Sequence, residues 1–142
     1  MGKYCVGSRV EIVGHEDGFW NSYFAATILR DDCIKFLVRY EKLKDDEGQK
    51  LEEEVELEYI RPYSPKIPYK IKELDDVDAF DGCGWWRGTV IHADEEELEV
   101  NFDYVTDPNE QHVTYKRKLV RIHQECYILH AASAWIHLKV DP

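Results

Sequence analysis

The residues best suited to chemistry are aromatics gathered in two short turns. Phe19 and Trp20 stand in Asp17-Gly18-Phe19-Trp20-Asn21-Ser22-Tyr23-Phe24, and Trp85 stands in Asp81-Gly82-Cys83-Gly84-Trp85-Trp86. Ring faces set at right angles form a box that attracts an alkylated ammonium, at about 0.5–2 kcal/mol per well-placed ring. A carboxylate on the wall adds a charge-assisted hydrogen bond to an ammonium that keeps an N–H. In the first half the candidate rings are Phe19, Tyr23 and Tyr40, with Glu41 and Asp46 as wall acids. Trp20, Glu47, Phe80, Trp85, Phe102 and Asp103 are candidates for the surface that seats the rest of the ligand, with Tyr104 close by.

Each ring has a competing use in a core. Strand alternation sends Phe24, Phe36, Ile28 and Trp86 inward. Tyr23 and Tyr40 fit either cage or core, and Trp20 fits either the ligand or a cover over the barrel mouth. The runs Glu52-Glu53-Glu54 and Asp94-Glu95-Glu96-Glu97 read as solvated faces. Their other use is to steer a Lys/Arg-rich tail toward the rings.

The elements that position these residues are short strands. Residues 6–13 alternate apolar and polar, and a glycine- and Asp/Asn-containing turn covers 14–21. Strands follow at about 22–30, 34–41 and 54–58, with Lys42 to Lys50 as a charged loop and Tyr59-Ile60-Arg61-Pro62 closing the unit. Five such strands make a small curled barrel of the SH3-like kind. Ser64-Pro65-Lys66-Ile67-Pro68 is expected to be a short semi-rigid linker.

The second half repeats the first. A shift of 62 pairs Tyr23 with Trp85, Phe24 with Trp86, Ile28 with Val90, Phe36 with Leu98, Val38 with Val100 and Tyr40 with Phe102. Shifts of 67 and 60 pair Val10 with Val77 and Arg61 with Arg121. The shift changes only between strands, where loops absorb length. The expected organisation is all-β: one barrel over 4–63, a second over 69–126 packed with it, and a tail over 127–142. Residues 130–135 are expected to form one helical turn, and the tail to pack on the second barrel or between the two.

Bulk properties narrow the function. The 142 residues are 44% hydrophobic and 13% aromatic, which is a globular composition. The net charge is −11, with 29 acidic against 18 basic residues, so the surface repels phosphate backbones and draws cationic peptides. Cys5, Cys33, Cys83 and Cys126 contain no C-x-x-C pair, which argues against zinc and for free thiols. The six histidines show no ligand spacing, so no metal or cofactor is expected, although His15 and His112 lie where protonation would oppose a cationic ligand. No nucleophile elbow, phosphate loop or Ser–His–Asp arrangement occurs, and catalysis is not expected. No apolar run reaches the length of a membrane span. Met1-Gly2-Lys3 reads as a fragment boundary, so a monomeric piece of a larger protein is expected.

Taken together, V-G-S-R-V-E-I, D-G-F-W-N-S-Y-F-A-A-T-I-L, F-L-V-R-Y-E and Y-I-R-P resemble the pattern of plant Agenet domains of the Royal (Tudor) superfamily. V-D-A-F-D-G-C-G-W-W-R-G-T-V and L-V-R-I-H resemble the companion domain of a tandem pair. The resemblance implies a nuclear chromatin reader whose partner is a methylated histone H3 tail, best matched to the heterochromatic dimethylated ninth residue. It implies a cage of Phe19, Tyr23 and Tyr40, with a carboxylate from Glu41 or the 45–47 loop. Tyr23 stands where the family usually has tryptophan, and Asn21-Ser22 where it usually has Gly-Ser. The alternative reading is an interaction module that binds an unmodified basic partner.

Overall fold

The computed structural model describes residues 4–16, 18–103, 107–129 and 132–137, with side chains described through residue 126. The chain divides into two compact units, Met1–Ser64 with Cys126–Ala134 and Pro65–Glu125 with Trp135–Pro142.

In the first unit, β1 (Arg9–Val13), β2 (Ser22–Asp31), β3 (Lys35–Lys44) and β4 (Lys50–Glu56) form an antiparallel meander. A 3-10 turn at Leu57–Tyr59 leads to β5 (Ile60–Pro62), which returns to pair with β1. This is the small SH3-like barrel that the spacing of strands and turns announces. Alternation fills it: Val10 and Ile12, Phe24, Ala26 and Ile28, Phe36, Val38 and Tyr40, and Val55 and Ile60 are buried. The stretch from Lys42 to Lys50 is not a plain loop. β3 and β4 run on through it to a turn at 45–49, where Asp45 Oδ1 accepts the amides of Glu47 and Gln49.

The second unit repeats that order with β6 (Asp76–Asp81), β7 (Gly84–Ala93), β8 (Glu97–Asn101), β9 (His112–Lys116) and β10 (Val120–Ile122), the last pairing with β6. Its core gathers Val77, Ala79, Val90, Leu98, Val100, Phe102, Tyr115, Val120 and Ile122. The repeat extends to irregularities. Register breaks between Ile28 and Arg30 in one unit and between Val90 and His92 in the other. Both bulges therefore sit at the same shift of 62.

Segment 65–75 is less a free linker than part of the second unit. Ile71 is buried, Ile67 and Tyr69 pack on the core, and Gln124 Nε2 donates to the Pro65 carbonyl at 2.9 Å. Buried Asp75 accepts the Lys72 amide at 2.9 Å and the Tyr69 hydroxyl at 3.2 Å. The tail also departs from expectation. β11 (Gln124–Leu129) and β12 (Ala132–His137) form a two-stranded sheet in place of a helical turn. Short apolar runs with aromatic and β-branched residues are ambiguous between the two states, and pairing decided it. How the tail's side chains pack lies outside the described residues.

One detail of the repeat yields a stability test. Gly7 (φ 91°) and Leu74 (φ 72°) occupy matching left-handed positions, and their amides donate to Ile28 O and Val90 O, both at 2.8 Å. Glycine adopts that conformation freely, while leucine is strained by roughly 1–2 kcal/mol. Leu74 is exposed and its side chain contributes little burial. Leu74→Gly is therefore expected to stabilise the second unit by about 0.5–1 kcal/mol after the unfolded-state entropy cost of glycine. A lower urea midpoint for the variant would contradict this.

Candidate functional site

β2 begins and β3 ends at one end of the first barrel, so loop 14–21 and the 45–49 turn share a rim. Three rings meet there. Phe19 stands edge-on to Phe24 at 5.9 Å between centroids, and Phe24 edge-on to Tyr40 at 6.5 Å. Phe19 is 44% exposed, whereas Phe24 and Tyr40 form a buried floor. The Tyr40 hydroxyl donates to Glu53 Oε1 at 2.5 Å. Its pKa is pushed far up, first by burial, then by Glu53, with a smaller contribution from Glu16. The phenol thus stays protonated and serves as a donor to Glu53. Among the described residues no lysine, arginine or histidine pairs with Glu53, although Glu52 and Glu54 beside it pair with Arg39 and Arg30.

The loop is pinned before any ligand arrives. Gly14 N donates to Ser22 O at 2.9 Å, Phe19 N donates to Glu16 O at 2.9 Å, and the Ser22 hydroxyl donates to Phe19 O. Trp20 is 58% exposed at the loop crest. His15 stacks on Tyr59 at 3.7 Å and its Nδ1 contacts Val13 O at 3.0 Å. His112 is exposed on β9.

The structure sorts the sequence candidates. It brings Phe19 and Tyr40 together. It moves Tyr23 away, because Tyr23 points to the opposite face of β2 from Phe24. There the Arg61 guanidinium lies 3.8 Å from the Tyr23 ring centroid, so that ring already carries a cation. Glu41 is likewise on the outer face, held bidentately by Arg9 at 2.7 and 2.9 Å. Asp46 and Glu47 remain as exposed acids on the rim turn. In the second unit the candidates divide between faces. Phe80 and Trp85 pair on the outer face at 5.2 Å, with Arg121 over Trp85 at 4.3 Å. Phe102 is buried in the core, and exposed Asp103 accepts from Asn101 at 3.1 Å. Tyr104 lies outside the described residues.

Sequence reading placed Phe24 in the core, where it is buried, and took Glu53 with its neighbours as a solvated or tail-steering run. The signal for Glu53 was present: alternation places Leu51, Glu53 and Val55 on one face of β4, and Val55 is buried. Glu53 is therefore not part of a solvated face. Also missed was a repeated triad. Glu11, 0% exposed, pairs with Arg61 at 2.9 Å, and Asp78, equally buried, pairs with Arg121 at 2.9 Å. Each arginine then covers the first ring of its aromatic pair, Tyr23 or Trp85.

The second triad carries an addition, His123. Its Nδ1 meets Asp78 Oδ1 at 2.8 Å and its Nε2 meets Glu125. Glu125 and Asp76 also hold Arg87. Burial alone would lower the His123 pKa, but the bonds to Asp78 and Glu125 outweigh it and raise it. Burial opposes the Asp78 carboxylate too, yet His123 and Arg121 hold its pKa below the ordinary value. The signs follow from linkage. The raised His123 contributes stability that is full below about 6.5 and lost as pH climbs through its folded value. The lowered Asp78 contributes stability present above about 3.9 and lost as pH falls through its folded value. Wild type is thus expected to lose stability on the alkaline side of neutrality relative to His123→Gln. Parallel urea midpoints for the two proteins from pH 6 to about 9 would refute that.

Two five-stranded Tudor-like barrels in one chain, the first with a ring cluster beside a carboxylate that has no cationic partner among the described residues, define a tandem protein-interaction module. A family model described as "Agenet domain" matches residues 7–65, and the first unit belongs to the Agenet family. AGENET DOMAIN (AGD)-CONTAINING P1 of Arabidopsis thaliana is 37% identical over 92 residues, 60% of this chain and 17% of that protein. DUF724 domain-containing protein 3 of the same plant is 30% identical over 149 residues, 98% of this chain and 20% of that protein. The chain thus spans about a fifth of the length of these curated relatives. Among solved structures, the AGD34 crystal structure of Arabidopsis thaliana AGDP1 superposes with TM-score 0.80 at 27% identity, covering 93% of this chain and 89% of that one. Tandem Agenet domain 3-4 of ADCP1 gives 0.72 at 27% identity, over 87% and 82%. Domains of this kind are chromatin-associated protein-interaction modules of non-catalytic families.

Proposed function

We propose that the first unit reads a methylated lysine on a basic histone H3 tail, with the dimethylated ninth residue as its mark. The observation that carries the reading is the Phe19, Phe24 and Tyr40 cluster beside Glu53, a carboxylate with no cationic partner among the described residues. A dimethylammonium sheds little hydration on entering such a cluster, gains ring contacts and donates its remaining N–H to the carboxylate. An unmodified ammonium gives up more hydration for the same contacts. The choice of the ninth residue rests on resemblance to tandem Agenet readers. A net charge of −11 draws the rest of a basic tail, through rim acids such as Asp46 and Glu47. Such a protein works in the nucleus.

The decisive experiment titrates H3 peptides that differ only in methylation of the ninth lysine. Binding near 1 μM is expected for the dimethyl form, and at least about tenfold weaker for the unmodified one. Glu53→Gln is expected to erase the preference for dimethyl over trimethyl, because the amide keeps the shape and loses the charge. Equal binding of methylated and unmodified tails would sink the cage. One observation favours the alternative, an unmodified basic partner: Phe24 and Tyr40 are only 6% and 4% exposed. Under that reading Phe19→Ala leaves affinity unchanged and the loss comes from Asp46 and Glu47 substitutions instead.

A further inference from the structure

We propose that His123 is a proton-operated clasp: its imidazolium fixes Glu125 at the base of the β11–β12 hairpin, and loss of that proton frees the hairpin. The His123 side chain is 0% exposed, and a carboxylate faces each of its nitrogens, Asp78 at Nδ1 at 2.8 Å and Glu125 at Nε2. A carboxylate only accepts, so both nitrogens must carry hydrogen and the ring must be a cation. Among the described residues, the other charges of this cluster are Asp76 on β6, Arg87 on β7 and Arg121 on β10. Arg121 holds Asp78 at 2.9 Å, and Arg87 bridges Asp76 at 2.6 Å and Glu125 at 3.3 Å. With His123 protonated, the cations Arg87, Arg121 and His123 balance the carboxylates Asp76, Asp78 and Glu125. Without that proton the cluster is left one charge negative.

The two carboxylates do not share the loss evenly. A neutral imidazole keeps one N–H and turns a lone pair toward the other acid. Asp78 is 0% exposed, so stranding it costs more and the N–H stays on Nδ1. Glu125 is 31% exposed and can swing to solvent. Arg87 does not have to follow, because its Nε and Nη2 both donate to Asp76, at 3.1 and 2.6 Å. Glu125 is the second residue of β11, and buried Gln124 before it donates to the Pro65 carbonyl. β11 pairs with β12 in a two-stranded sheet, which is marginal by itself in water and depends on what ties its base. Burial disfavours the imidazolium, but Asp78 and Glu125 outweigh burial and the opposing Arg87, and hold the His123 pKa above its ordinary value. The clasp is therefore closed below about 6.5 and opens as pH climbs through the raised value. The first unit has the buried acid and its arginine without the imidazole. The shift of 60 that pairs Arg61 with Arg121 pairs Tyr63 with His123, and the Ser64 amide takes the free oxygen of Glu11.

The test follows the backbone amides of residues 126–129 by hydrogen exchange and the His123 ring by NMR, from about pH 6 to about 9. Protection of those amides, corrected for the intrinsic pH dependence of exchange, is expected to fall at least about tenfold as the ring loses its proton, while the amides of β6 and β7 keep theirs. Glu125→Gln separates the clasp from a general loosening. Its amide keeps the shape of the carboxylate and offers an N–H that a neutral Nε2 accepts, so the hairpin should stay protected over the whole range. The proposal is overturned if residues 126–129 are already unprotected at the acid end, or if the ring titrates and they do not respond. A ring that keeps its proton to the alkaline end overturns it as well, since nothing then opens the clasp. So does a Glu125→Gln protein that opens over the same range as wild type. If β6 and β7 lose protection together with residues 126–129, the proton holds the barrel and not the hairpin, and the clasp is again overturned.

Discussion

Arg61→Ala is expected to destabilise the first unit by about 3–5 kcal/mol, the cost of leaving a buried charge without its partner. Glu11 is 0% exposed, and Arg61 holds its Oε1 at 2.9 Å while the Ser64 amide holds Oε2 at 3.0 Å. Truncating the arginine strands a carboxylate on a covered face and also uncovers the Tyr23 ring, on which the guanidinium lies at 3.8 Å. A desolvated stack of that kind adds about 2 kcal/mol on its own. The measurement is a urea titration with the midpoint converted through an unchanged slope. The double variant Glu11→Leu with Arg61→Met removes the stranded charge along with its partner and is expected to recover most of the loss. If the single variant costs under about 1 kcal/mol, Glu11 has found water or another donor and the buried pair is not what fixes this face. Tyr23→Ala acts through the same pair. It should cost stability before it costs binding, the reverse of what a cage residue would do.

That assignment shows what could be read in advance and what could not. Strand order was legible because the signals are local: alternation in Arg9-Val10-Glu11-Ile12-Val13, turn residues around Gly18 and Gly48, and the repeat itself. The rim was legible too, since antiparallel neighbours must bring the start of β2 and the end of β3 to one end. What alternation leaves open is which of two covered faces a ring belongs to. Tyr23 and Phe24 are adjacent, and both end below a tenth exposed. Only Arg61, 38 residues downstream of Tyr23, decides that Tyr23 is the occupied ring. Glu53 was not told apart from its neighbours for a related reason. In Glu52-Glu53-Glu54 charge is uniform, while the pleat is not, and the middle residue turns inward beside Val55 and Leu51. His123 closes the L-V-R-I-H motif, but nothing in that motif says what the imidazole bonds. Its partner Glu125 is only two residues away, but Asp78 lies on β6, and only the closure of β10 on β6 brings that carboxylate to it.

Gly14→Ala is the other change with a large expected effect, and it acts on the ligand site through the backbone. A Cβ at position 14 would lie 2.0 Å from the Phe19 carbonyl oxygen and 2.2 Å from Ser22 Oγ. The first of these is backbone, so no rotamer relieves the clash and the loop has to move. The Phe19 carbonyl is where the Ser22 hydroxyl bonds, and Phe19 is the ring that closes the cluster over Phe24. Displacing that strand of loop therefore removes the outer wall of the cage while its floor, Phe24 and Tyr40, stays in the core. Methyllysine peptide binding is expected to fall at least about tenfold, the worth of one lost ring together with the ordering the loop no longer supplies. Stability should fall by a further 1–3 kcal/mol or so, as overpacking usually costs. Phe19→Ala separates the two effects: its ring is 44% exposed, so binding should drop as far while the urea midpoint barely shifts. Matching affinity losses in the two variants would place the effect in the position of Phe19. A Gly14→Ala protein that binds like wild type would mean that the pinned loop does not form the site, and the first-unit reading would lose its outer wall.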